Sequence, residues 1–308
     1  MRLKSTDILL RLGCHIFLAI LLSQAANKFF VVDLDYELEH GFYARIFAFH
    51  GDAPDQYRIL PLLPLKWICE WLPFNHAVLI YNLIFGFFAL ELQWRLASSK
   101  SIHWRWGLSF GLAVLYIFFQ YTGWRPDTLG LLVLCQVGVL CLRDIRDRSL
   151  RFLAWGAVVI ALSFSRAEVA LIYALFGTFH QLPSYGLWIP IPIATQLLLK
   201  WVIFPRAGYY TDVVMLKDNL SLFYLLRNPA TFLLIAALIA FWRPISEFVK
   251  ATFRKNLYFY LLVIGYLCLV MVIGRVNEYR LYLPFIPLLL LITHARKPGS
   301  GTFQAGHL

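Results

Sequence analysis

Apolar runs bounded by charge recur along the whole chain, at about 8–26, 76–97, 107–122, 127–142, 152–164, 167–180, 186–204, 229–242, 257–273 and 281–294. A soluble core cannot absorb them. Hydrophobic residues make up 60% of the 308 and charged residues 15%, with a mean hydropathy of +0.67. That leaves too little polar surface to cover a body in water. The expected fold is therefore all-α, a polytopic transmembrane helix bundle of about ten spans, since a helix satisfies its own backbone in lipid. Several runs are shorter than the roughly 20 residues a bilayer core needs, so helices are expected to extend through their polar ends or to surround a wet cavity. The bundle reads as one transmembrane domain over 1–296, with a short cytoplasmic tail at 297–308.

Sidedness follows from where Lys and Arg collect. With the N-terminus inside, the cytoplasmic segments are Arg2, Lys4 and Arg11, then "RLASSKSIHWR", "RDIRDRSLR", "HQLPS", "RPISEFVKATFRK" and "HARK". All but "HQLPS" are basic, as expected of loops retained on the cytoplasmic side. Fusing 152–180 into one helix would invert everything after it, so two helices are expected there. The same loops account for a net charge of +11. No basic stripe interleaved with aromatics marks a nucleic-acid surface, and nucleic acid is not an expected partner. Cys14, Cys69, Cys135, Cys141 and Cys268 form no CxxC and lie in or beside apolar runs, so they read as buried thiols. The small residues of "LLSQAAN" suit a signal-peptide cleavage site, but Arg11 and His15 interrupt the run before them.

This topology sends one kind of sequence outside. The outer connections are 27–75, "GWRPD" (123–127), "SRAE" (165–168), 205–228 and "GRVNEYR" (274–280), each with an Arg and a carboxylate near a helix end. Interfacial arginines often only snorkel, yet the short turns cannot carry their charges far from the membrane. Arginines and acids gathered at a membrane rim suit an anionic lipid headgroup. The first connection is the most acidic, with Asp33, Asp35, Glu37, Glu39, Asp52 and Asp55. Within it, "EHGFYARIFAFHG" spaces Glu39, Tyr43, Ile46 and Phe47 as a short interfacial helix, and Pro61, Pro64 and Pro73 argue against a further uninterrupted span. Residues 29–75 thus read as an outer-face juxtamembrane helical loop.

"EHGFYARIF", followed by a glycine-containing spacer and "YRILPLLP", resembles the first outer loop of polyprenyl-phosphate-sugar-dependent glycosyltransferases with the C-type (GT-C) membrane fold, nearest the mannosyltransferase-like branch. "GAVVIALSFSRAEVALIYALF" is similar to the helix, Arg turn, helix segment of that superfamily, and "RVNEYRLYLPFIPLLL" to its late Arg-and-Pro outer turn. The family's acid in the first loop is usually Asp, whereas the matching position here is Glu39, with Asp33 and Asp35 just upstream. The resemblance implies an enzyme moving a sugar from a polyprenyl-phosphate donor to a glycan, lipid or protein acceptor. It also implies a bacterial cytoplasmic membrane with the active site on its outer face.

The residue types suit that chemistry on their own terms. Transfer to a hydroxyl needs a base, for which Glu39, Asp35 or Asp33 stand closest to hand. A departing lipid phosphate needs cations, and arginines supply them bidentately without a metal. Arg58, Arg125, Arg166 and Arg280 are the candidates to hold phosphate, with Tyr43 beside the substrate. Asp127, Glu168 and Glu278 would orient the arginines or bind sugar hydroxyls. HExxH and Walker A motifs are missing, and His40 and His50 alone make a poor metal site, so neither a metal nor any other cofactor is expected. A transporter or flippase of a lipid-linked or anionic substrate is the alternative, and a non-catalytic scaffold a third reading. A transporter favours mid-membrane charges in two related halves, and no internal repeat is visible.

Overall fold

A computed structural model describes residues 5–29, 42–48, 50, 57–119, 127–205, 219–221, 229–240, 242–273 and 279–293. The architecture is all-helical, and no strand occurs among the described residues. The helices are α1 (Ser5–Phe29), α2 (Phe42–Phe47), α3 (Ile59–Cys69), α4 (Phe74–Leu96), α5 (Ile102–Phe119), α6 (Asp127–Asp144) and α7 (Arg148–Ser163). They continue as α8 (Ala167–His180), α9 (Pro190–Leu198, prolonged by a π turn to Ile203), α10 (Pro229–Ala240), α11 (Trp242–Phe253), α12 (Leu257–Ile273) and α13 (Phe285–Ile292). Among the described residues each apolar run of the sequence is helical over most of its length, and 152–180 is indeed divided. The last turn of α7 closes through Arg166 N–H to Leu162 O at 2.6 Å. Arg166 itself is extended, φ −154° and ψ 103°, so the chain must start α8 afresh. At the other end of α7, Asp147 accepts from Leu150 N–H at 2.6 Å, an N-cap that fixes where the helix begins.

Length tells a more restrained story than the count of runs. Among the described residues, Asp7–Gln24, Phe74–Ser99 and Pro183–Ile203 are long and apolar enough to cross a membrane. The pair Ile245–Phe253 and Leu257–Val272, bent by 118°, makes a fourth if taken as one span. α3 is shorter, with Pro64 inside it and a break before Pro73, so 59–73 is not an uninterrupted span. The tail at 297–308 lies outside the described residues.

The core is apolar, but the outer surface is not that of a soluble protein. Large apolar side chains stand exposed around the outside, among them Leu9, Trp201 and Ile239, while polar groups such as Gln136, Asn82 and Ser163 are buried. Apolar atoms outside suit hydrocarbon, and polar atoms inside must then find partners. α1 runs antiparallel to α4, joined by Ser23 Oγ to Leu79 O at 2.8 Å and by His15 Nδ1 with Glu91 Oε1 at 2.5 Å. α6 lies on α4 through Gln136 Nε2, which donates to Ala89 O at 3.0 Å and Gln93 Oε1 at 3.2 Å.

The bundle has two chemically different ends. α6, α7 and α8 alternate in direction, so Asp127 and the Ser163–Ala167 turn share one end, while Asp144, Arg148 and His180 share the other. Arg143 Nη1 donates to Arg95 O and Leu96 O there, both at 3.0 Å. Lys100 Nζ reaches Thr293 O at 3.2 Å, and His180 Nδ1 meets Tyr258 Oη at 2.6 Å, which brings the close of α13 and the start of α12 to this basic end. That grouping matches the basic segments read from the sequence as one side.

Trp155, fully buried, keys α6, α7 and α8 together. A Cβ on Gly177 of α8 would sit 2.5 Å from its Nε1, and one on Gly138 of α6 would sit 3.3 Å from its ring. Gly177→Ala is expected to cost about 1–3 kcal/mol by overpacking, although alanine is the better helix former by about 1 kcal/mol. Gly107→Ala, at a position with nothing within 4 Å, is expected to stabilise by about 0.5–1 kcal/mol. Thermal unfolding of the two purified variants checks the opposite signs; equal stability would mean that the indole moves freely.

Candidate functional site

Four charged side chains meet where α3, α6 and the α7–α8 turn converge. Pro61 lies in the first turn of α3, and its carbonyl accepts from Tyr81 Oη of α4 at 2.6 Å. Across from it, a Cβ on Gly130 of α6 would lie 2.5 Å from that hydroxyl and 3.1 Å from Pro61 Cβ. Glycine is therefore what allows α6 to come so close to α3. Arg58 and Asp127 lie one helical turn before Pro61 and Gly130, so the same approach sets them side by side. Arg58 Nη1 is 3.6 Å from Asp127 Oδ2, with the side chains 14% and 9% exposed.

The start of α3 is also tied to the α7–α8 turn. Leu60 N–H donates to Phe164 O at 3.2 Å, and Tyr57 packs with Leu199 and Phe204 against Ile59 and Phe164. Two residues beyond Phe164, Arg166 Nε donates to Glu168 Oε1 at 2.6 Å. Their side chains are 14% and 30% exposed, so Glu168 is the most open of the four. Asp127 acts electrostatically on Arg166, and Arg58 on Glu168, which makes the two pairs one cluster. Burial works against the Arg166 charge, but Glu168 above all, with Tyr266 and Asp127, outweighs it and raises the guanidinium pKa. Tyr266 of α12 is within electrostatic reach of Arg58, Arg166 and Glu168 and donates to Leu281 O at 3.2 Å. Tyr173 of α8 likewise donates to Pro284 O at 2.8 Å. These bonds hold the single 3-10 turn Tyr279–Tyr282 beside α8 and α12.

The structure thus brings together Arg58, Asp127, Arg166 and Glu168, four of the residues singled out in the sequence. Arg280 has its backbone in the adjoining 3-10 turn. Tyr43 is placed differently, fully buried among Ile46, Leu62, Leu65 and Phe74, with its ring 5.0 Å from that of Phe74. It serves there to pack α2 against α4. Asp33, Asp35, Glu39, Arg125 and Glu278 lie outside the described residues. Sequence reasoning missed Tyr266, embedded in "LYFYLLVIGYLCLVMVI". The available signal was the hydroxyl itself, which in an apolar span needs a partner.

Two guanidiniums and two carboxylates balance in charge, so the cluster can persist in an apolar surround. A guanidinium carries five N–H donors, more than one carboxylate engages, and is therefore a group able to bond the oxygens of an anion or of a sugar as well. Among the described residues no group of three or more His, Cys, Asp or Glu could hold a metal ion.

Removing one member of the Arg58–Asp127 pair leaves its partner charge in a mostly buried place. Asp127→Ala is expected to destabilise by about 2–3 kcal/mol, and Arg58→Gln in the same chain to recover part of that loss. Unfolding midpoints of both single variants and the double variant give the coupling; strict additivity would mean that the two side chains do not sense each other. No protein-family model matches the chain, and comparison with curated proteins and with solved structures finds no match either.

Proposed function

We propose that the chain is an integral membrane glycosyltransferase with a C-type fold of about ten spans, moving a sugar from a polyprenyl-phosphate donor to an acceptor hydroxyl at the outer face of a bacterial cytoplasmic membrane. The observation that carries this reading is the convergence of Arg58, Asp127, Arg166 and Glu168 at one end of an apolar bundle whose other end is basic. Such pairs also fix helix register, and two guanidiniums beside two carboxylates at one end of the bundle suit a phosphate and sugar hydroxyls as well. In this reading Arg58 and Arg166, with Arg125 and Arg280, take the lipid phosphate. Asp127 and Glu168, with Glu278, orient them and accept from sugar hydroxyls.

The general base is assigned to the first loop rather than to the cluster. Asp127 and Glu168 each already engage a guanidinium, whereas Glu39, Asp35 and Asp33 form the densest supply of carboxylates on that side. Transfer removes a proton from the acceptor hydroxyl as its oxygen bonds the sugar carbon and the lipid phosphate leaves, so the base must share a side with the donor headgroup.

Purified protein in lipid, given candidate polyprenyl-phosphate sugars, separates these roles. The carboxamide variant of the true base, among Glu39→Gln, Asp35→Asn and Asp33→Asn, is expected to lower turnover by roughly 10²–10⁴-fold while donor binding stays nearly intact. Arg166→Ala is expected to weaken donor binding instead. Full transfer activity in all three carboxamide variants would remove the base from this loop. Movement of a lipid-linked sugar across the bilayer without any transfer would establish the transporter in place of the enzyme. Sidedness has its own check: cysteines introduced near Asp52 and Lys250 are expected to label from opposite faces, and labelling from the same face sinks the outward placement of the site.

A further inference from the structure

α11 has a purpose that the proposed transfer reaction does not use. Its sequence "WRPISEFVKATF" and the following "RK" place Trp242, Ile245, Phe248, Val249 and Phe253 along one side of the helix. Arg243, Glu247, Lys250 and Arg254 fall along the other. The apolar side is only partly spent on protein packing. Trp242 is 67% exposed and Phe253 41%, even though Phe253 also touches the Tyr260 ring at 5.2 Å between centroids. The polar side is open as well, with Arg243 paired to Glu247 across one turn at 3.4 Å in the exposed zone.

Direction and neighbours say what covers this helix. The chain turns by 118° between α11 and α12, so α11 does not prolong the span that α12 begins. His180 holds the start of α12 at the basic end of the bundle, and α11 therefore lies at that end. On both sides of it are helices with exposed apolar faces: Ile235 and Ile239 on α10, Leu261 and Ile264 on α12. The apolar side of α11 is continuous with surfaces that hydrocarbon covers in a spanning protein. Its polar side offers Arg243, Lys250, Arg254 and Lys255 against the single carboxylate of Glu247. A zwitterionic headgroup balances no such excess, whereas an anionic one does. Trp242 at the first position adds the indole anchor common at membrane interfaces.

We propose that α11 is an in-plane helix seated in the headgroup layer, and that it gathers anionic phospholipid around the basic end of the bundle. The occupant of its surface is the bilayer, not a protein partner. The inference is independent of the transferase reading, because it concerns the opposite end of the molecule.

The test uses the full chain in nanodiscs, with native cysteines replaced and a fluorophore on a cysteine at Ile245 or, separately, at Glu247. The discs contain brominated phosphatidylglycerol or brominated phosphatidylcholine at equal mole fraction. Lipid bromines are expected to quench the label at Ile245 and to spare the one at Glu247. Brominated phosphatidylglycerol is expected to quench with a preference of about fivefold or more, since each basic residue near an anionic surface adds roughly that factor. The preference is expected to fall at about 0.5 M salt and in the variant Lys250→Glu, Arg254→Glu, Lys255→Glu. Equal quenching at the two positions, or equal quenching by the two lipids, overturns the proposal. So does a label at Ile245 that both lipids leave untouched and that crosslinks to a second copy of the chain. The comparison of the two lipids needs no charge-reversed protein, so it holds even if that variant fails to fold.

Discussion

A charged side chain in hydrocarbon has no water to turn to, and that one constraint organises the bundle. A buried ion is costly without a counter-ion, and a buried polar group without a partner. His15, fully buried, leans on Glu91, which Arg11 also approaches at 3.2 Å. Arg105 lies over the Trp94 ring at 4.2 Å and donates to the Trp94 carbonyl. At the far end Arg58 takes Asp127 and Arg166 takes Glu168. These pairs do not add much stability in themselves, because desolvation offsets the attraction. Their effect is on specificity: a helix that carries half of a pair has one acceptable register against its neighbour.

The registers are then made possible by small residues and proline rather than by the charges. Gly130 admits Pro61 and the Tyr81 hydroxyl, and the Arg58–Asp127 contact follows one turn away. The Tyr81 hydroxyl bonds Pro61 O at the same place, so α3, α4 and α6 are tied together one turn from the charges.

Much of the fold was legible because lipid makes the code coarse. A run that is apolar on all sides must be a buried or lipid-facing helix, and the division of 152–180 could be read from charge placement alone. Arg58, Asp127, Arg166 and Glu168 were also legible, since charges at helix ends of an apolar chain are conspicuous. What could not be read was which partner each would choose. The pairing of Arg58 with Asp127 depends on the absence of a side chain at Gly130, and a glycine inside an apolar run looks unremarkable in sequence. Tyr43, expected beside the substrate, has its ring packed in the Phe74 cluster, a place set by α3 and α4 and not by its own stretch of sequence. An apolar run marks a helix without fixing how far it reaches, and among the described residues three or four are long and apolar enough to cross a membrane.

The slot around Trp155 has a mechanical consequence. With α6, α7 and α8 interlocked on one indole, Asp127 and Arg166 ride on a single stiff block. Arg58, by contrast, stands at the start of α3, an 11-residue helix packed elsewhere, with Leu62 and Leu65 in the Tyr43–Phe74 cluster and Lys66 Nζ on Phe47 O. A shift of α3 therefore changes the Arg58–Asp127 separation while Arg166 and Glu168 keep theirs.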